Sequence, residues 1–387
     1  MQFRISILAS LLKPISRRRF AATVERHDGD AYDKSFRSWD QLVTLIFAQL
    51  GAVESLRELV SVWNANSHHH YHLGVGKLHR STLADANARR PIEVFIETFA
   101  DLSGLADRVF KREGRQMLRL IDATPIPLGE LISWAKWNGR TRGLKLHVVY
   151  DPVADHPQRI AITAANVNDV TVGQAVPIEP GATYAMDKAY CRYSWWEQIH
   201  AAGALFVTRK KNNARYAVVR RRALKRRKGD GFTIIDDAEV RLASKGNARL
   251  AIPMRRVRVK RDNGAILTFL TNDLTRPAVE IAGLYKMRWQ IELLFRWIKQ
   301  HLKIRKFLGR SENAVRLQLI AAMIAYLLLR LAARDSRTKM PAIRFAELVA
   351  RCLFVRKPIA RLDQPPDVNP SKPRPRCSPR QLELCYA

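Results

Sequence analysis

Cysteine is scarce in this chain. Its four cysteines (Cys191, Cys352, Cys377 and Cys385) are widely spaced among 387 residues and form no C-x-x-C pair. That excludes a disulfide framework and a thiolate zinc site, and it fits a reducing cytoplasm. Acidic residues are scarce too: 35 Asp+Glu face 67 Lys+Arg, a formal net charge of +32. A chain this basic repels itself when compact and calls for a polyanionic partner. Nucleic acid is the default, which would place the protein on the nucleoid; an anionic membrane surface is the alternative. Long apolar runs are also missing. The longest, Leu319–Leu329, is bracketed by Arg316 and Arg330. It falls well short of the roughly 20 residues a span requires, so it reads as a buried core helix. Arg17-Arg18-Arg19 follows a short apolar stretch, but no small-residue cleavage site comes after it, which argues against a signal peptide. No internal repeat is visible.

What is present divides the chain into regions. Residues 1–115 read as all-helical. Ser38-Trp-Asp-Gln41 and Ser55-Leu-Arg-Glu58 match the capping box, Gly51 stops the first of these helices, Ser81 caps another through Arg90, and Pro91 suits the first position of the next. Basic residues are scattered through this region, as expected of a DNA-binding module, without a clear helix-turn-helix signature. The pattern turns strand-like across Lys111–Arg115. Met117–Ile126, Leu144–Tyr150 and Arg159–Ala165 are strand candidates in succession. Ala182–Asp187, a helix over Tyr193–Ala202 and a short strand Leu205–Thr208 follow. This order predicts a mixed sheet with helices against it. Residues 211–274 hold further strand-like runs (Phe232–Ile235, Val240–Ala243, Arg255–Lys260, Ile266–Thr271) and read as a β-rich insertion. A long helix from Pro277 and a buried helix over Leu317–Leu331 complete the core. Residues 336–387 hold a last helix and a tail with seven prolines after Arg356, expected to be extended.

The chemistry concentrates late in the chain. On one helix Tyr285, Arg288, Glu292 and Lys299 would fall at roughly 0°, 300°, 340° and 320°. They would share one narrow face beside an apolar stripe of Leu284, Ile291, Phe295, Ile298 and Leu302. A carboxylate, two cations and a phenol along the rim of a buried helix suit a site that holds metal and phosphates together, against the plainer reading of a solvated charged flank. Two further carboxylates stand out by position. Asp122 lies inside the apolar strand Leu120-Ile-Asp-Ala-Thr124, where an acid is costly unless paired or metal-bound. Asp187 ends the strand in Tyr184-Ala-Met-Asp187-Lys-Ala-Tyr190, at the strand tip where open sheets place ligands. Three hard oxygen ligands suit Mg²⁺ or Mn²⁺, and two such ions can drive an in-line phosphodiester displacement. Acids alone are weak grounds, since an unspecified trio is easily found among 35.

The combination is more specific. Tyr285–x2–Arg288–x3–Glu292–x6–Lys299 resembles the Y-R-E-K signature of the insertion-sequence-four family of bacterial DDE transposases. Asp187-Lys-Ala-Tyr190 and Ile121-Asp122-Ala-Thr124 resemble that family's second-Asp and first-Asp motifs. A β-rich insertion before the Glu is also the family's layout. The resemblance covers about residues 116–335, and more loosely the helical N-terminus. It implies a ribonuclease-H-like fold, with the core in 116–210 and 275–335, and cut-and-paste transposition by strand cleavage, usually through a DNA hairpin, followed by strand transfer. It implies that Asp122, Asp187 and Glu292 are catalytic and hold the metals, and that Tyr285, Arg288 and Lys299 contact phosphates of the transposon end. Expected partners are double-stranded DNA, both transposon ends and target, and a second copy in a synaptic homodimer; neither a membrane nor a small-molecule substrate is expected. A silent DNA-binding descendant and a nuclease without strand transfer are the competing readings.

Other features carry less. Arg220, Arg221, Arg222, Lys225, Arg226, Arg227 and Lys228 place seven basic residues in nine, a DNA-contacting strip in preference to a solvated loop. His68-His69-His70-Tyr71-His72 lacks the spacing and partners of a metal site and reads as a surface turn. His147 is a core or supporting residue rather than a general base, and Lys145 faces either the acids or solvent. Trp195, Trp196, Trp289 and Trp297 could stack on unpaired bases, although their helical spacing favours packing.

Overall fold

The computed structural model describes residues 5–364 except 32, 34, 111–116, 130–131, 225–227, 244–249 and 303–305. The expected joint at Lys111–Arg115, the strip residues Lys225, Arg226 and Arg227, and the proline-rich tail therefore lie outside the described residues. Helices α1 (Ile7–Leu12), α2 (Arg17–Arg26), α3 (Ser38–Leu50), α4 (Leu56–Ala65), α5 (His70–Leu73), α6 (Arg80–Arg89) and α7 (Glu93–Phe110) precede the first strand. Strands β1 (Leu118–Pro127), β2 (Lys136–Trp137), β3 (Arg142–Asp151) and β4 (His156–Ala164) follow, then α8 (Asp169–Gln174), β5 (Thr183–Met186), α9 (Tyr193–Ala201) and β6 (Leu205–Arg209). Next come β7 (Arg215–Arg221), β8 (Lys228–Gly229), β9 (Phe232–Ala243), β10 (Met254–Arg261) and β11 (Ile266–Thr271). Helices α10 (Ala278–Met287), α11 (Trp289–His301), α12 (Glu312–Asp335) and α13 (Ala342–Arg351) complete the order.

The mixed α/β class expected from sequence is what the chain adopts, with a helical N-terminal region and a large sheet flanked by helices. In that sheet β4, β3, β1, β5 and β6 lie side by side; β3 and β4 run antiparallel to their neighbours, while β1, β5 and β6 are parallel. This is the ribonuclease-H-like order. The strands of residues 211–274 extend the same sheet past β6 in the order β11, β10, β9, β7.

The inward residues of the sheet face and those of α1–α7 and α10–α13 form one apolar core running from Ile7 to Leu362. At its centre is α12, whose Leu317 and Leu319–Leu329 are buried. By length and composition this 24-residue helix is apolar enough to cross a membrane, but here it packs against α3, α6 and α7. A smaller apolar cluster on the other sheet face gathers Ile121, Tyr184, Tyr190, Trp195, Trp196 and Phe206 under α8 and α9.

Several boundaries differ from the sequence expectation, each for a local reason. Ser38 is not the cap of α3. Its hydroxyl donates to the Gly29 carbonyl (3.0 Å), and the extended Arg37 precedes the helix with its N–H bonded to Asp40 (3.0 Å). Ser55 does cap α4, accepting from the Glu58 N–H at 3.1 Å, while the Glu58 carboxylate takes the Glu54 N–H. Gly51 ends α3 with an ordinary negative φ, and the left-handed turn falls on Ala52 instead. Helix α6 starts at Arg80, so Ser81 lies inside it. Pro91 stands ahead of α7, because Arg90 before it is extended and the Ile92 carbonyl takes the first helical bonds. The two runs at 232–235 and 240–243 are one strand. The acids between them, Asp236, Asp237 and Glu239, do not break β9 because Arg256, Arg255 and Arg220 pair with them.

Candidate active site

The first acid is positioned by strand alternation. On β1, Leu120, Asp122, Thr124 and Ile126 share one face, the face against which α11 packs. Parallel pairing then brings the second acid alongside. Leu118–Ile121 pair in register with Thr183–Met186, so the next residues along the two strands are Asp122 and Asp187. Adjacent strands lie about 4.8 Å apart. Asp187 leaves β5 in extended conformation and opens a short 3₁₀ turn, Lys188–Tyr190. That turn is held from below: a Cβ on Gly173 of α8 would stand 2.9 Å from the Tyr190 ring and 3.0 Å from Trp195. Only glycine lets α8 approach so closely.

The third acid arrives on a helix that is broken rather than continuous. α10 ends at Met287 and α11 begins at Trp289. At the junction the Arg288 N–H reaches back to Tyr285 O (3.1 Å) and the Ile291 N–H to Arg288 O (3.2 Å), tightening the backbone into i→i−3 bonds. The expectation of one long helix therefore fails here, and with it the single-helix angles. The four residues still converge. Arg288 donates from Nη1 to Asp122 Oδ2 (2.8 Å) and from Nη2 to Glu292 Oε1 (2.5 Å). Tyr285 Oη donates to Asp187 Oδ1 (3.4 Å), its buried ring against Phe269 at 4.5 Å. Lys299 Nζ donates to Thr124 Oγ1 (2.5 Å).

Electrostatics mark the same place. Burial pushes the Asp122 carboxyl up to about 6; the Arg288 guanidinium and the Ala123 N–H oppose this, while Asp187 and Glu292 add to it. Burial draws the Arg288 guanidinium down, but Tyr285, Asp122 and Glu292 together leave it raised. Burial also lifts the Tyr285 phenol to about 12, with Asp187 contributing and Arg288 opposing. The arrangement can grip phosphates through Arg288, Lys299 and Tyr285, and it collects three carboxylates that gain from a divalent cation. As they stand, the acids are not spaced as a ligand cluster: among the described residues no group of three or more His, Cys, Asp or Glu is close enough to hold an ion. Arg288 instead lies between Asp122 and Glu292.

The other sequence candidates fall elsewhere. Arg220, Arg221 and Arg222 sit at the far end of the sheet, paired with Glu239 (2.6 Å), Asp236 (2.9 Å) and Glu239 (3.6 Å), and Lys228 is exposed on β8. Lys145 faces neither the three acids nor open solvent; it is bonded to Asp169 Oδ1 and Val167 O, both at 2.8 Å. His147 is buried, hydrogen-bonded to Thr163 (2.8 Å), and burial lowers it to about 4. Trp195 and Trp196 are core residues, Trp297 packs on Tyr326, and Trp289 is 52% exposed. Sequence reasoning missed the role of Thr124, which anchors Lys299. The signal was available: Thr124 lies two residues from Asp122 and so on its side of the strand.

A ribonuclease-H-like sheet with one acid inside β1, a second just past the end of the neighbouring β5 and a third on α11 defines a class of phosphodiester-processing enzymes. Comparison with known proteins agrees. The family described as "Transposase DDE domain" matches residues 113–328, and a domain of unknown function (DUF4372) matches residues 4–76. The chain is 64% identical over 304 residues to "Putative transposase y4zB" of Sinorhizobium fredii, covering 79% of this chain and 85% of that one. It is 31% identical over 261 residues to "Probable transposase for insertion sequence element IS5377" of Geobacillus stearothermophilus, covering 66% and 68%. A solved piggyBac transposase synaptic complex with hairpin DNA aligns at TM-score 0.46 and 9% identity over 94% of this chain and 83% of that one. This chain belongs to the DDE transposase family of bacterial insertion sequences, and its activity is transposition.

Proposed function

We propose that the protein excises an insertion sequence by divalent-metal-dependent cleavage at its terminal inverted repeats, through a hairpin intermediate, and joins the freed ends to target DNA. The observation that carries this reading is the convergence of Tyr285, Arg288, Glu292 and Lys299 on the adjacent strands β1 and β5 beside Asp122 and Asp187. Asp122, Asp187 and Glu292 are the residues that would hold Mg²⁺ or Mn²⁺. Their all-carboxylate donor set suits a hard cation, and the burial that raises the Asp122 carboxyl is a cost that a bound cation would offset. Once bound, such ions supply an activated water or 3′-hydroxyl and stabilise the leaving oxygen.

The protein's own residues do the rest. Arg288 occupies two of the three carboxylates, and its guanidinium can fork a phosphate in bidentate fashion. A phosphate of the transposon end draws Arg288 off Asp122 and Glu292, freeing them for the ions. Lys299 places a point charge on a neighbouring phosphate, and Tyr285 contributes a single donor while its ring stays wedged on Phe269. Residues 1–115 would recognise the ends, 116–210 and 275–335 would form the catalytic core, and 211–274 would be an insertion along which DNA lies. The basic residues from Arg220 to Lys228 would contact its phosphates there, the exposed heads of Arg220 and Arg221 exchanging Glu239 and Asp236 for phosphate. Two ends must be joined, so the acting species is a homodimer on DNA.

Changing Asp122, Asp187 or Glu292 to Ala should abolish cleavage of cognate ends in Mg²⁺ while end binding persists. Wild-type cleavage in any one of these variants would refute the assignment. Sequencing the cleaved flank for hairpin products tests the intermediate separately.

A further inference from the structure

The histidine-rich turn at residues 67–72 takes no part in the site above, and its build is specific. A 3₁₀ turn, Ser67–His69, runs straight into α5. His70 and Leu73, three residues apart, anchor it: both are buried, with His70 Nε2 on the Trp63 carbonyl at 3.0 Å and its ring on Trp63 at 4.6 Å. This forces the remaining side chains outward. His68 and His72 are exposed, and Tyr71 is 88% exposed, the most exposed large hydrophobic residue described. His69 is stacked on Phe354 (5.3 Å, 16°) of the segment following α13, which brings the exposed Arg356 beside the turn.

The charged groups around this turn are almost all basic. His68, His70, His72 and Arg356 face His69, and their repulsion adds to burial in lowering it. Arg17 of α2 lies over Trp39 (3.8 Å) and against Gly74. α1, which packs on α5, carries no titratable side chain. Asp40 of α3 faces His70, but its oxygens are taken by the N–H groups of Arg37 and Gly76. So an aromatic side chain stands in water between two exposed imidazoles, and Asp40, the acid that faces the turn among the described residues, is already engaged. An exposed cluster of like charges has no use for itself; it fits a polyanion. Among the described residues no metal-ligand grouping occurs here.

We propose that this turn is a pH-dependent contact for the phosphate backbone of duplex DNA, in which His68, His72 and Arg356 engage phosphates and Tyr71 packs on the sugar edge, on elements that carry none of the candidate catalytic residues. The proposal rests on the DNA-binding reading above and adds where, and under what condition, the N-terminal region grips. Histidine ordinarily gains its charge near pH 6.5. Each imidazolium that meets a phosphate adds a contact between pH 8 and pH 6, tightening binding by roughly fivefold if the phosphate favours the charged form by about one pH unit. It also steepens the salt slope by about 0.9.

The test uses the full-length protein, a fluorescent duplex and anisotropy in EDTA, so that no metal bridges the histidines. Wild type should bind at least tenfold tighter at pH 6 than at pH 8. The double variant His68→Gln/His72→Gln should lose most of that gain while matching wild type at pH 8. His68→Lys/His72→Lys should bind tightly at both, and Tyr71→Ala should weaken binding at both. An unchanged pH response in the Gln variant overturns the proposal. So does a histidine-dependent response seen on phosphatidylglycerol vesicles but absent on the duplex. If wild type binds duplex at neither pH, the DNA-binding reading itself fails, which is a different result.

Discussion

At the scale of single residues the site is governed by one arginine and one aspartate. Arg288 is 13% exposed and bonded to two of the three acids, so removing it should have opposite effects on two measurements. Arg288→Ala should let DNA-free protein bind Mn²⁺ more tightly in a titration followed by electron paramagnetic resonance, yet slow cleavage in pre-bound complexes. Weaker or unchanged Mn²⁺ binding would show that Arg288 does not compete with metal. The aspartate makes a prediction about pH. Asp122 rises in the fold to about 6 from an ordinary 3.8, so it supports the fold while protonated, below about pH 4, and that support is lost as pH rises through 6. The difference is on the order of 2–3 kcal/mol for a carboxyl so little exposed. Asp122→Asn should therefore melt higher than wild type near pH 8 without metal, with the advantage gone near pH 4. An equal Tm difference at both pH values would contradict the assigned environment.

At the scale of elements, close approach and buried pairing hold the site's frame, and both can be tested. Gly173 has no room for a side chain between Tyr190 and Trp195. Gly173→Ala should cost about 1–3 kcal/mol by overpacking, read from denaturant midpoints, and should reduce cleavage by moving the Asp187 turn. Arg255, 2% exposed, forks Asp237 with two 2.7 Å bonds. Asp237→Ala should cost about 3–5 kcal/mol by stranding a buried guanidinium; a loss below 1 kcal/mol would mean that water enters there. These elements also show what sequence alone could reveal. β1, β5 and α9 were legible because apolar runs bounded by turn residues state themselves locally. The break at Arg288 was not, because Leu284, Ile291 and Ile298 keep a helical period straight through it. Strand β9 looked like two pieces because its acids are neutralised by arginines that are distant in sequence. Of the candidate site, Tyr285, Arg288, Glu292 and Lys299 were visible as a spacing, and Asp122 and Asp187 by their places in apolar strands. The direct bond from Arg288 to Asp122 spans 166 positions and no local pattern could show it.

At the scale of the whole molecule, charge and core act together. Many phosphate contacts imply a steep salt dependence. Replacing Arg220, Arg221, Arg222, Lys225, Arg226, Arg227 and Lys228 with Ser should flatten the plot of log K against log[salt]. An unchanged slope would remove that strip from the DNA path. The core makes a separate statement. The helices before β1 and the sheet share one apolar interior around α12, so unfolding should be a single cooperative transition, with equal calorimetric and van't Hoff enthalpies. Two resolved transitions would show that the helical region holds itself together. A further consequence follows for the host. A charge of +32 attracts any duplex, the chromosome included, whether or not it carries a transposon end. If, as proposed, only a phosphate of the seated transposon end draws Arg288 off Asp122 and Glu292, the arginine folded over those acids would keep the protein blunt on ordinary duplex. Cellular magnesium alone would then not arm the protein, and the chromosome would be spared until a transposon end is seated.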